Sequence, residues 1–231
     1  MGGAIINEGT LTLRDVVVRN YLAQNSGGGV FNKGRLTLTG RTRISNNRAT
    51  YGAGVYNATP RAWLVMNDAS SISGNRGGGV ANNGGVVILN DRSAIIGNDG
   101  SFDECGGVES GDWGHGDRVI LNDASRVVRN RGCGVYAEGR VVLNDASRIS
   151  GNHSTGLHGG VRARLVVMND SSVVSNNTAV EVGGVSAESL RMSGSSVIRF
   201  NTARKRAGGL YLYGSELVGV TCGPGEDCVD G

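Results

Sequence analysis

Proline is nearly missing from this chain of 231 residues, which has two, and aromatic residues make up only 5%. Collagen would need Gly at every third position with abundant Pro, and neither condition holds. Leu is scarce beside Val, 15 against 28, and a chain so rich in Gly and β-branched residues is a poor helix former. Lys is confined to Lys33 and Lys205 beside 21 Arg, and no basic block marks a nucleic-acid surface. No apolar run approaches the roughly 18 residues of a membrane span; residues 62–66 are among the longest. No signal peptide precedes the pattern, which starts at once with Gly2-Gly3-Ala4-Ile5, as expected for a segment of something longer. Disorder is excluded by 39% hydrophobic residues at a net charge of only +3. What is abundant is Gly, with 40 residues, about two and a half times ordinary usage. An all-β chain with many tight turns remains.

A repeat organises it. Gly followed by an aliphatic residue recurs from Gly3-Ala4 through Gly29-Val30 and Gly134-Val135 to Gly209-Leu210, at intervals of 26, 25, 25, 28, 27, 26, 24 and 25 residues. Each unit holds three apolar stretches. The first follows the glycines, as in Val55-Tyr56-Asn57. The second alternates, as in Leu36-Thr37-Leu38 and Val141-Val142-Leu143. The third places a β-branched residue three positions before an Asn, from Val17 and Asn20 to Ile198 and Asn201. Short runs of period two separated by turn residues predict three strands per unit.

A propeller blade needs four strands in 40 or more residues, and leucine-rich repeats want more Leu. The nonapeptide calcium repeat is absent. A right-handed parallel β-helix of about nine coils fits, a rod on the order of 40 Å long at the usual strand spacing. It is expected to form one domain over residues 1–231, with coils over 2–218 and a closing loop over 219–231.

The unit Gly-Gly-(Ala/Val)-(Ile/Tyr)-Asn, then Gly-x-Leu-Thr-Leu, then Ile-Ser-x-Asn resembles the repeats of bacterial surface β-helices. It is most similar to the Gly-Gly-Ala-Ile repeats of polymorphic outer membrane proteins and autotransporter passengers, and Gly2-Gly3-Ala4-Ile5 matches that tetrapeptide as written. The companion Phe-x-x-Asn motif keeps its Asn and replaces Phe by an aliphatic residue. The resemblance spans residues 2–217 and implies the β-helix, a secreted or cell-surface location and a structural or adhesive role with a glycan or host-surface partner. An autotransporter barrel has no room in this chain.

Residue classes that follow the repeat read as structural. Asn47, Asn75, Asn98, Asn130, Asn152, Asn177 and Asn201 form a stacked ladder. Asp15, Asp68, Asp91, Asp123, Asp145 and Asp170, with Gly40 and Gly194 in the remaining units, mark a turn needing an Asx bond or positive φ. Their like charges call for Arg92, Arg126 and Arg148, or a calcium stripe, as an offset. Six equivalent Asp do not single out an acid and a nucleophile. Thr is too sparse after two coils for an ice-binding face. His115 lies in a different corner from His153 and His158, so the three make a poor zinc set. Cys105 and Cys133 precede the anchors of successive coils, and Cys222 and Cys228 close a short loop; two disulfides and an oxidising compartment are expected.

The repeat is irregular between Asn98 and Leu121. Asp103, Glu104, Glu109, Asp112 and Asp117 gather there with Trp113. This is the candidate ligand site: a ring for a sugar face, with carboxylates for hydroxyls or, at Asp112 and Asp117, calcium. No catalytic residue is assigned and no other cofactor is expected. The leading function is a rod displaying loops; the competing one is binding or cleavage of carbohydrate at residues 99–117. The first coil, starting without a cap, is expected to associate with another copy, a crystal neighbour or a missing upstream coil.

Overall fold

Stacking one coil on the next at strand spacing leaves no room for a side chain where the backbones approach most closely. A Cβ built on Gly134 would lie 2.7 Å from the Gly160 carbonyl oxygen and 2.7 Å from Ile149 Cγ2. That close approach, repeated at Gly29, Gly79 and Gly160, is why the repeat is anchored on Gly. The computed structural model describes residues 3–100, 105–111 and 117–218.

All strands pair in parallel, each with its counterpart one coil away, so the chain is an all-β parallel solenoid. Each coil has three strand positions, here faces 1, 2 and 3. In one central coil these are Val135–Ala137, Arg140–Leu143 and Arg148–Ser150. Eight coils carry all three faces, and a ninth adds faces 1 and 2 through Leu210–Val218. In the last coils faces 1 and 2 merge into single long strands, Val161–Met168 and Val185–Met192. Among the described residues there is no helix, hence none long and apolar enough to cross a membrane.

The expected core is observed. Val135, Val141, Leu143 and Ile149 are fully buried and belong to one apolar file running through the coils. Val142 lies outside that file, on the outer side of face 2, where in-register Ile120 and Val167 shield it. Val17 corrects the sequence reading of the first coil. It is 57% exposed, while Val18 pairs with Ile44 and points into the core. Asn20 therefore aligns with Asn46, not with the ladder. With Tyr21 and Leu22 it belongs to an exposed first-coil edge.

The ladder Asn are chained from Asn47 to Asn201, and all but the partly exposed Asn201 are buried. Asn98 Nδ2 donates to Asn130 Oδ1 at 3.1 Å and to the Ile72 carbonyl at 3.1 Å, and its own Oδ1 accepts from Asn75. Positive φ falls on the residue before the ladder, such as Asn46 and Gly74, and not on the ladder Asn itself. A second internal ladder joins Asn7, Asn32, Asn57 and Asn82 at the ends of face 1 and terminates on Ser110. The Asp turns behave as expected, all six at φ between 54° and 58°. Their charge, however, is not offset by Arg92, Arg126 or Arg148, which make no ion pair among the described residues. Each carboxylate instead accepts a backbone N–H from a neighbouring coil: Asp15 from Arg41 of the next coil, and the other five from the coil before, as Asp123 does from Asp91 at 2.9 Å. Cys105 and Cys133 are disulfide-bonded with Cα atoms 4.4 Å apart, tying two successive coils.

Candidate functional site: a groove along face 1

The outward residue at the middle of each face 1 strand repeats at strand spacing. Pairing in register places Phe31, Tyr56, Ala81, Glu109, Tyr136 and Arg162 in one row. The corner after each ladder Asn makes a second row, bridged directly from coil to coil: Leu22, Arg48, Arg76, Asp99, Arg131, His153. Between them runs a groove of about 1760 Å³ whose lining reaches from Leu22 to Arg162. It crosses six corners, roughly 25 Å at the usual strand spacing. A smaller depression of about 920 Å³ on face 3, lined by Arg19, Arg43, Ser71 and Ile96, holds no aromatic ring and no carboxylate.

The floor mixes rings with charged side chains. Tyr56 packs on Phe31 with centroids 5.4 Å apart. Ala81 follows and leaves a dip. Two coils on, the Arg162 guanidinium lies 5.3 Å from the Tyr136 centroid. Burial raises the Tyr136 phenol above its ordinary value of 10.0; Arg162 opposes this, while Glu138 and Glu109 reinforce it. The phenol therefore stays protonated and able to donate at neutral pH. On the wall, Arg131 Nε sits 3.7 Å from Asp99 Oδ1. At the far end His158 is desolvated and lies near Arg162, which together lower its pKa to about 4, so it is a neutral imidazole at physiological pH.

Of the residues singled out from the sequence, Asp103, Glu104, Asp112, Trp113 and His115 lie outside the described residues, as do Cys222 and Cys228. Glu109 is on the groove floor. Asp117 is elsewhere: it is buried in the turn between faces 1 and 2, beside Ser110 and Gly139. Its carboxyl is raised by burial, against hydrogen bonds from Ser110 and from backbone N–H groups. The structure thus does not bring Glu109 and Asp117 onto one surface. Among the described residues no three His, Cys, Asp or Glu side chains converge as a metal set.

Sequence reasoning missed the groove itself. Tyr56, Tyr136 and Arg162 occupy an outward strand position that the repeat leaves free to vary, and only stacking aligns them. Listing that position down the coils would have shown it. No protein-family model matches the chain, and comparison with curated proteins and with solved structures finds no match.

Proposed function

We propose that this protein is a binding rod, secreted or displayed at a cell surface, whose face 1 groove holds an extended glycan. The observation that carries this is the row of Tyr56 and Tyr136 on the floor of a groove crossing six coils. A sugar ring presents an apolar face to an aromatic plate and hydroxyls to the carboxylates and guanidiniums around it, which is the mix found here. The solenoid supplies rigidity, since every coil is hydrogen-bonded to its neighbours. The resemblance to bacterial surface repeats and the Cys105–Cys133 bond support an extracellular setting. Calcium at the acidic loops belongs to the same proposal as an auxiliary ion, to be tested by chelation.

Glycan-array binding of the whole chain, with and without calcium, tests the reading. Tyr56→Ala together with Tyr136→Ala is expected to weaken the bound glycan tenfold or more, a change of about 1.4 kcal/mol. The far-UV spectrum should be unchanged, because both rings lie outside the core. A parent that binds no glycan, or a double variant that binds equally well, overturns the assignment.

A further inference from the structure

The charges of the groove are not spread evenly. Asp99 is paired with Arg131, and Glu109 and Glu138 lie about Tyr136 together with Arg162. The end nearer the first coil is different. Arg48 and Arg76 are directly bridged in consecutive coils, both exposed, both lining the groove. Neither has a carboxylate within ion-pair distance among the described residues. Two like charges on bridged positions one coil apart repel each other, and the Asp99 that bridges to Arg76 on the next coil is paired with Arg131. Tyr51, 49% exposed, and Tyr56 line the groove beside them.

We infer that the groove is selective for an acidic polysaccharide carrying one carboxylate per sugar, a uronan, with Arg48 and Arg76 reading successive carboxylates. This rests on the glycan reading above and adds the charge of the polymer. The coil spacing is of the order of the rise per ring of an extended pyranose chain, so carboxylates of nearby sugars come within reach of the two long, exposed Arg side chains. Arg offers two parallel N–H donors to a planar carboxylate, which Lys does not, and the groove lining contains Arg and no Lys. Farther along, Asp99, Glu109 and Glu138 are set against Arg131 and Arg162, so that stretch takes hydroxyls and one carboxylate per ring and disfavours a polymer of higher charge density. That favours a uronan over a heavily sulfated glycan or a nucleic acid.

The experiment is titration calorimetry of the whole chain against polygalacturonate, dextran sulfate, a neutral glucan and single-stranded DNA, at low and physiological salt. The variants are Arg48→Gln with Arg76→Gln, and, on another side of the rod, Arg92→Gln with Arg126→Gln. Polygalacturonate is expected to bind most tightly, to weaken as salt rises, and to lose tenfold or more in the first double variant only. Equal binding of the neutral glucan, or unchanged polygalacturonate binding by Arg48→Gln/Arg76→Gln, overturns the charge preference while leaving the glycan groove standing. Dextran sulfate or DNA bound as tightly as polygalacturonate shows an indiscriminate cationic patch and also overturns it. If no glycan binds at all, the reading of the groove as a glycan site falls first, and this inference falls with it. Matched melting curves of the variants and the parent exclude unfolding as the cause.

Discussion

At the scale of single residues, buried polar groups divide into those that are answered and those that are not. The Asn98 side chain makes four hydrogen-bond contacts. Asn98→Ala strands the buried Asn75 donors, and each unsatisfied group costs about 1–3 kcal/mol, so a loss of about 3–5 kcal/mol is expected in urea unfolding. Ser125 is as deeply buried, but its hydroxyl has no partner among the described residues. Ser125→Ala should therefore leave stability within about 1 kcal/mol of the parent, or raise it. Asp117 gives a pH signature. Its folded-state pKa is raised above 3.8, so the folded protein holds a proton that the unfolded chain has lost. The resulting stability is fully present below 3.8 and declines as pH rises through the folded value. Asp117→Asn should remove that decline, so its urea midpoint gains on the parent's from acidic to neutral pH. Parallel midpoint curves would refute it. The ladder at Asn98 was legible in the sequence because Asn recurs in every unit. The second ladder, Asn7 to Asn82, was written just as plainly, but it covers only four coils before Ser110 replaces Asn. Asp117 was misplaced on the surface because acidic residues crowd its neighbourhood, and only the turn geometry shows that it is inside.

At the scale of the coil, the Gly-Val anchor is a contact requirement between neighbours. Gly134→Ala would push a methyl against Gly160 of the next coil and against Ile149 across its own coil, and overpacking of this kind typically costs about 1–3 kcal/mol. Thermal melting of Gly134→Ala measures it; an unchanged transition would mean that the coils can part without cost. The disulfide acts on the same joint. Its cysteines are 28 residues apart, and closing a loop of that size is worth about 3.6 kcal/mol in the chain-entropy account. Cys133→Ser should lower the urea midpoint accordingly, whereas reduction with no shift would show that stacking alone holds the coils. The period, the three strands and the inward residues were all legible, since a core position must satisfy the same packing in every coil. The first coil was not: Val17 and Val18 are both aliphatic, and Asn20 mimics the ladder. Only pairing with Ile44 decides which of them faces in.

For the whole molecule, stacking converts residues far apart in sequence into one surface. Tyr56 and Tyr136 are 80 positions apart and share a groove floor. Nothing local in the chain announces this, because the outward position of face 1 is free to vary while the core position beneath it is not. Candidate residues on the floor were therefore legible only where their chemistry stood out by itself, as with Glu109. The central claim is that six coils act together on one extended ligand. The most direct test is calorimetry of the whole chain with oligogalacturonides of increasing length. Affinity should climb with each added sugar and level off once the oligomer spans the groove, roughly 25 Å by strand spacing. Affinity already maximal at the disaccharide, or flat across the series, would contradict the account.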